Sequence, residues 1–277
     1  SQVVNTNLTL ILTGPADVVE NVKGSQRDDV IIGNSLDNVL EGNGGNDELT
    51  GGPGSDTLDG GGGLNPATDM AWIDRIVEIR DASMTLTNAA LIIPGEINTL
   101  IEIEAATLTG GASDNTLNAF NFTLGSVTLN GMDGDDTLTG GSGDDFLIGG
   151  AGDDTLQGGP GNDTFVFDAD SALGTDTVTG GSDIDTLDFS GISSGLMLKL
   201  APVAPTAQDV VVGKLSLKLA DPIENVIGGA GNDSITGNGL KNTLIGNDGN
   251  DTLAGLGGDD MLEGGNGDDT YLFNADS

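Results

Sequence analysis

The chain has 277 residues, of which 44 are acidic and only 8 are basic, so its net charge is −36. Such an excess of carboxylates opposes compaction unless cations neutralise it, and it argues against nucleic acid and anionic membranes as partners, because phosphates are bound by Lys and Arg. The sequence contains no His and no Cys, which excludes a Ser-His-Asp triad, a His-ligated metal, a thiolate zinc site and disulfide bonds.

The first predicted element is a block of nine-residue repeats. From Gly24 the chain reads GSQRDDVII, GNSLDNVLE, GNGGNDELT and GGPGSDTLD, and a weak fifth copy, GGGGLNPAT, follows. We predict strands leading into this block over 1–23 and a first roll over 24–68. In the next segment, 69–109, apolar and polar residues alternate, as in MTLT at 84–87, so we predict connecting β-strands that cover the open ends of the rolls.

Two further blocks follow along the chain. An eroded copy, GGASDNTLN, starts at Gly110, and GMDGDDTLT, GGSGDDFLI, GGAGDDTLQ and GGPGNDTFV run from Gly131. These predict a second roll over 110–166, and a second connecting β segment follows over 167–222. From Gly228 the chain reads GGAGNDSIT, GNGLKNTLI, GNDGNDTLA, GLGGDDMLE and GGNGDDTYL. They predict a third roll over 223–277.

The consensus of these repeats is G-G-x-G-x-D-x-U-x, in which U is a large apolar residue. The first six residues make a tight turn, since glycine allows backbone angles that a Cβ forbids. The last three form a short strand whose apolar residue points inward. We predict an all-β fold of right-handed parallel β-roll (solenoid) blocks linked by short β-strand segments, with an interior ladder of one residue per strand. That ladder contains Leu138, Leu147, Leu156, Phe165, Ile235, Leu244, Leu253, Leu262 and Tyr271.

The turns carry the chemistry of a calcium site. Glycines let main-chain carbonyls converge, and the sixth-position Asp adds a carboxylate; such hard oxygen donors suit Ca²⁺. Two nonapeptides complete one coil, so the carboxylates of stacked turns lie 18 residues apart, and their repulsion makes the cation part of the fold. The expected pairs are Asp136 with Asp154, Asp145 with Asp163, Asp251 with Asp269, and Asp29 with Asp47. Turns with Asn38, Asn115 or Asn242 at the sixth position are expected to close without metal or with a weak site.

The repeats resemble the RTX (repeats-in-toxin) family over about half of the chain. The resemblance implies type I secretion from a bacterium and folding in the calcium outside the cell, with each ion held by turn carbonyls and by the sixth-position Asp of two stacked turns. From the number of repeats alone we expect about ten bound ions. Carried over to the matching positions, the predicted metal ligands are Asp29, Asp47, Gly52, Gly54, Asp56, Asp136, Asp145, Gly150, Gly152, Asp154, Gly159, Gly161, Asp163, Asp185, Asp233, Gly249, Asp251, Gly258, Asp260, Gly265, Gly267 and Asp269.

Two functions stay open at this point. In the first, the chain is a calcium-folded structural module of a large surface protein or adhesin, located outside the cell or on the bacterial surface. In the second, it is the C-terminal roll region of a secreted toxin or hydrolase whose catalytic domain lies elsewhere. Possible partners besides calcium are a cell-surface glycan, which Trp72 could stack on, and neighbouring copies of the chain itself.

No catalytic residues are predicted. The sequence GISSG at 191–195 matches G-x-S-x-G, but without a histidine base we interpret it as a loop. No apolar run is long enough to span a membrane, so we expect no membrane insertion. The first residues show no signal peptide, and we expect both ends to be cut from a longer protein.

Overall fold

The computed structural model describes residues 7–12, 21–63, 71–168, 172–200 and 206–273. Much of the predicted leading segment and the end of the weak fifth repeat lie outside these ranges. The first fourteen strands are β1 (Thr9–Ile11), β2 (Asn21–Lys23), β3 (Val30–Ile32), β4 (Val39–Glu41), β5 (Glu48–Thr50), β6 (Thr57–Asp59), β7 (Arg75–Ile79), β8 (Met84–Thr87), β9 (Ala90–Ile93), β10 (Glu96–Ile101), β11 (Ala105–Thr109), β12 (Thr116–Asn121), β13 (Val127–Asp133) and β14 (Thr137–Thr139).

The described chain continues with fourteen more strands and shows no helix. They are β15 (Phe146–Ala151), β16 (Thr155–Pro160), β17 (Thr164–Val166), β18 (Gly174–Ser182), β19 (Thr186–Asp188), β20 (Met197–Lys199), β21 (Gln208–Val211), β22 (Leu215–Leu219), β23 (Asn225–Ile227), β24 (Ser234–Thr236), β25 (Thr243–Asp248), β26 (Thr252–Ala254), β27 (Met261–Asn266) and β28 (Thr270–Tyr271).

These strands form a parallel β-roll in which successive coils stack along one axis. One sheet has the order β1-β3-β5-β7-β11-β13-β15-β17-β19-β23-β25-β27, and every one of its neighbours is parallel. The opposite face is a sheet of order β2-β4-β6-β10-β9-β8-β12-β14-β16-β18-β22-β21, followed by a small sheet β20-β24-β26-β28. The predicted all-β parallel roll is therefore confirmed.

The apolar residue at the centre of each short strand forms the interior. Leu138, Leu147, Leu156, Phe165, Ile235, Leu244 and Leu253 are fully buried, as predicted. Tyr271 was expected to join them, but 40% of its surface is exposed. It belongs to β28, which pairs with β26 alone among the described strands, so no further described coil covers its ring. Its hydroxyl instead accepts a hydrogen bond from the Gly264 N–H at 2.9 Å.

The connecting segments also contribute coils to the same sheets. β7 lies between β5 and β11, and β19 lies between β17 and β23, so the first sheet passes without a break from one repeat block to the next. The expectation that these segments cap three separate rolls differs from this topology. The extra length of the first segment forms the antiparallel strands β8, β9 and β10, and that of the second includes the β21–β22 hairpin.

The connecting segments have a denser apolar core than the repeats. β8 and β9 each bury two apolar side chains where a nonapeptide strand would bury one: Met84 and Leu86 in β8, and Leu91 and Ile93 in β9. In the second segment the rings of Phe167 and Phe189 stack with centroids 5.2 Å apart. These segments therefore provide more hydrophobic stabilisation than the glycine-rich coils, which bury one apolar side chain per strand.

Candidate metal centre

The sixth-position aspartates lie at the end of each turn, directly before a strand. Almost all the predicted carboxylates are buried, with at most 2% of the residue surface exposed: Asp29, Asp47, Asp56, Asp136, Asp145, Asp154, Asp163, Asp185, Asp233 and Asp251. Asp260 and Asp269 are only partly buried, since they belong to the last coils. Burial of this many carboxylates is unfavourable unless each finds partners.

One carboxylate oxygen of each aspartate joins two coils. The Asp136 N–H donates to Oδ1 of Asp154 at 2.8 Å, and the Asp145 N–H donates to Oδ1 of Asp163 at 2.9 Å. The same bond joins the other two predicted pairs, Asp29 to Asp47 at 2.8 Å and Asp251 to Asp269 at 3.0 Å. The structure thus brings all four predicted pairs together in adjacent coils.

The second carboxylate oxygen divides the turns into two groups. In the open turns, Oδ2 is buried without a hydrogen-bond partner; those of predicted ligands belong to Asp47, Asp56, Asp136, Asp154, Asp163 and Asp251. In the closed turns, the N–H of the second residue of the turn donates a hydrogen bond to that oxygen. Gly141 donates to Oδ2 of Asp145 at 2.6 Å, and Gly229 donates to Oδ2 of Asp233 at 2.9 Å. The open turns thus present a buried anionic oxygen that is already hydrogen-bonded in the closed turns.

The backbone angle of the second residue decides between these groups. Gly150 has φ +106° and its N–H leaves the Asp154 carboxylate free, whereas Gly141 is outside the positive-φ region and bonds Asp145. Met132, although not glycine, adopts φ +80° in the open turn that ends at Asp136. Positive φ at this position therefore turns the N–H away from the carboxylate.

The Asn-bearing turns belong to the closed group. Oδ1 of Asn38, Asn115 and Asn242 accepts the N–H of the second residue of its own turn, each at 2.8 Å. The Asn242 amide also donates to the Glu224 carbonyl at 2.9 Å. These turns are complete without a charge, in line with the expected absence of strong sites there, which stays a prediction.

Glycine is required where stacked turns touch. Oδ2 of Asp154 lies against Gly149, and a Cβ on that glycine would collide with it. A Cβ on Gly152 would collide with the carbonyl of Gly134 in the preceding coil. The other predicted ligand glycines share positive φ with Gly150 and Gly152: Gly52, Gly54, Gly159, Gly161, Gly249, Gly258, Gly265 and Gly267. At Gly131 a Cβ would meet both Oδ2 of Asp136 and the Gly149 carbonyl of the next coil, so a main-chain carbonyl lies near that unpartnered carboxylate oxygen.

Burial raises the pKa of the stacked carboxylates. Desolvation is the largest cause, and neighbouring carboxylates add to it in most turns. It raises the pKa to about 6 for Asp47, Asp56, Asp145, Asp154, Asp163 and Asp233 and to about 7 for Asp185. Without a cation, these groups would hold protons in part near neutral pH.

The donor set fits a hard divalent cation that relies on main-chain oxygens. No group of three or more acidic side chains that could hold a metal by itself is found in the described ranges. Each open turn instead offers one free carboxylate oxygen beside stacked carbonyls. Calcium accepts such mixed oxygen ligands, and the buried, unpartnered Oδ2 atoms are the observation that favours a cation at the open turns.

The sequence interpretation missed two carboxylates of the stack. Oδ1 of Asp74 accepts the Asp47 N–H at 2.7 Å, and Oδ1 of Asp176 accepts the Asp154 N–H at 3.0 Å, so both extend the stack into the connecting segments. Burial raises their pKa to about 7 and about 8. Their sequence signal is an Asp directly before a triplet with an apolar centre, RIV at 75–77 and TVT at 177–179.

The fifth-position residues have a structural function that was not expected either. Asp144 and Asp153 directly precede two of the predicted ligands, Asp145 and Asp154. In the structure, Oδ1 of Asp144 accepts the Asn162 N–H at 2.8 Å and Oδ1 of Asp153 accepts the Thr175 N–H at 2.7 Å. These exposed bonds point from one coil back to the previous one, opposite to the bonds of the sixth-position carboxylates.

The GISSG segment forms one of the stacked turns. The Ile192 carbonyl accepts the Ala230 N–H at 2.8 Å, and the Leu196 N–H donates to Oδ1 of Asp233 at 3.0 Å. The segment therefore lies against the first turn of the third block, consistent with its interpretation as a loop.

Comparisons with known proteins point to the same repeats. The family model described as RTX calcium-binding nonapeptide repeat (4 copies) matches residues 32–65, 130–165, 223–239 and 236–271. Over 66 residues the chain is 39% identical to metallopeptidase AprA of Pseudomonas marginalis, a match that covers 24% of this chain and only 14% of that protein. The crystal structure of the extracellular lipase LipA from Serratia marcescens aligns with 72% of this chain and 37% of its own, at 21% identity and a TM-score of 0.28, too low to support an argument.

Proposed function

We propose that this chain, which carries RTX calcium-binding nonapeptide repeats, is a calcium-folded structural module of an extracellular protein. The observation that carries the proposal is the row of buried carboxylate oxygens without a hydrogen-bond partner, one in each open turn. A fold that buries these charges needs a cation between the coils, and cation binding is then part of the free energy of folding.

In this proposal the residues of the open turns hold the ions. Bound calcium would supply positive charge to the free Oδ2 atom of carboxylates such as Asp154. Oδ1 of Asp154 would keep its hydrogen bond from the Asp136 N–H in the neighbouring coil. Magnesium is a poor substitute, because it requires a smaller, near-octahedral and partly hydrated site. The repeats thus act as coils that assemble when calcium is abundant, as it is outside the cell.

For the parent protein we favour a large surface protein or adhesin secreted by a type I system. The sheet that continues through all three repeat blocks supports this, because it gives one extended body suited to a stalk. The chain contributes no catalytic centre in this proposal. The part that the structure describes contains no helix long and apolar enough to cross a membrane.

A second candidate is the roll region of a secreted hydrolase or toxin. The similarity to a protein named as a metallopeptidase favours it, although this chain spans only 14% of that relative. The sequence of the parent gene on either side distinguishes the two: further repeat blocks support the stalk, and a catalytic motif such as H-E-x-x-H supports the hydrolase.

Trp72 is half-buried beside Gly63, and glycan binding or self-association stays a prediction.

Far-UV circular dichroism of this chain during a calcium titration, with magnesium as the control, tests the proposal. We expect a cooperative transition from coil to β structure with calcium at millimolar or lower concentration, and little change with magnesium. A chain that is equally folded in chelator would contradict calcium-dependent folding.

A further inference from the structure

A turn in the segment after the second repeat block continues the carboxylate stack of that block. Asp176 ends the turn-like segment over 172–176, whose residues from Gly174 onward belong to β18 and pair with β22, and it lies outside all residues matched by the repeat family. Only 1% of its surface is exposed, and its Oδ1 accepts the N–H of Asp154 at 3.0 Å. This is the bond that joins each nonapeptide aspartate to the preceding coil.

The backbone of this turn stacks on a nonapeptide turn in the same way as the repeats stack on each other. The Gly152 N–H donates to the Leu173 carbonyl at 2.9 Å, and the Thr175 N–H donates to Oδ1 of Asp153 at 2.7 Å. Gly174 has φ +98°, and a Cβ on it would collide with the Gly152 carbonyl. The turn over 149–154 therefore has a stacked turn on both sides.

The second oxygen of Asp176 is left without a partner. Its Oδ2 is buried and accepts no hydrogen bond, as is also true of Oδ2 of Asp154. The Gly152 carbonyl lies against Gly174, where a Cβ would collide with it, so the two backbones approach each other without side chains between them. The arrangement repeats that of two stacked open turns, although the aspartates are 22 residues apart instead of 18.

We propose that Asp154, Asp176 and the main-chain carbonyls of the turns over 149–154 and 172–176 bind one further Ca²⁺ ion. The site rests on the proposed function, and it deepens it by assigning an ion to a connecting segment that has no nonapeptide. The row of ions then continues past the end of the second block, and calcium orders the start of β18 together with β16.

The number of calcium ions bound per chain tests the site. We would measure it by equilibrium dialysis of the full chain against radioactive calcium, for the wild type and for Asp176→Asn, Asp154→Asn and Asp209→Asn. Asparagine keeps the oxygen that accepts the backbone N–H, as Asn98 does for Asp56 at 2.9 Å, and removes only the free anionic oxygen. Asp209 is exposed in β21 and serves as the matched control.

We expect Asp176→Asn to bind about one ion fewer than the wild type, Asp154→Asn to lose at least as much, and Asp209→Asn to lose none. If Asp176→Asn binds the wild-type number while Asp154→Asn loses ions, the additional site is wrong and the proposed function stands. If Asp154→Asn also binds the wild-type number, the carboxylate-stack account of the proposed function fails.

A second measurement covers the case in which Asp176→Asn does not fold in calcium. Hydrogen–deuterium exchange of the wild-type chain across a calcium titration would follow peptides over 149–160 and 172–180. Protection of both at the same calcium concentration supports the site. Protection of 172–180 in chelator, before the repeats fold, overturns it.

Discussion

Replacing Asp154 by Asn isolates the free carboxylate oxygen of one open turn. The backbone hydrogen bond from Asp136 is retained by the amide oxygen, so the change removes mainly a charge. Burial raises the pKa of Asp154 from 3.8 to about 6. This shift means that burying the charged carboxylate costs about 3 kcal/mol, or about 2 kcal/mol once solvent screening is included. A bound cation has to offset at least this amount.

Without that carboxylate, the affinity of the adjacent ion should fall about thirtyfold, since each 1.4 kcal/mol is a factor of about ten. We expect the calcium midpoint of folding, followed by far-UV circular dichroism, to rise several-fold, because one ion of the row is weakened. Asp145→Asn should raise it less, since the Gly141 N–H already holds the second oxygen of Asp145. Asp209→Asn is the surface control. Equal midpoints for Asp154→Asn and Asp209→Asn would refute the reasoning.

Three further perturbations follow from the same geometry. In chelator, the stacked carboxylates whose pKa is raised to about 6 bind protons more tightly in the folded state than in the unfolded state, where they titrate near 3.8. We therefore expect the β structure to be greatest near pH 4 and to be lost as the pH rises through 6. Circular dichroism in chelator checks this expectation. In urea melts with calcium, Leu256→Gly should raise the free energy of unfolding by about 1 kcal/mol, because the exposed Leu256 has a φ of +74° that glycine adopts without strain. Leu240 is equally exposed but has no positive φ, so Leu240→Gly should lower the free energy of unfolding by about 0.5–1 kcal/mol. The reverse order would contradict backbone strain at Leu256. Arg80→Met should lower the free energy of unfolding by about 3–5 kcal/mol, because it leaves the buried Glu78 carboxylate unpaired. As a control, Lys23→Met breaks an exposed ion pair and should change the free energy of unfolding by less than about 1 kcal/mol.

The nine-residue period was enough to predict the parallel coils and the pairing of carboxylates. It specifies a turn, a short strand and an inward apolar residue, and stacking of identical units brings Asp136 beside Asp154. It could not predict Asp176, because the chain between Asp154 and Asp176 is four residues longer than a coil of two repeats. A search by fixed spacing fails where only the residues next to the strand keep the pattern.

The division into open and closed turns also escaped the sequence interpretation. GGSGDD at 140–145 and GGAGDD at 149–154 have almost the same sequence, yet Gly141 closes its turn and Gly150 opens its own. The angle of the second residue depends on what the preceding coil presents to it: Gly150 lies against Met132 of a regular repeat, whereas Gly141 lies against Phe122 of an irregular segment. Tertiary stacking, and not the local sequence, sets this choice.

The hydrogen bond from one coil to the acceptor in front of the next strand makes the fold tolerant of insertions. That bond joins residues separated by 18 positions at Asp29 and Asp47, by 27 at Asp47 and Asp74, and by 39 at Asp185 and Glu224. The intervening chain can lengthen freely, provided that it returns an acceptor and an apolar-centred strand to the growing sheet at the spacing of about 4.8 Å between strands. Loop insertion at the turns is therefore a route by which such a solenoid can acquire new surface during evolution, or by design, while its axis stays unchanged.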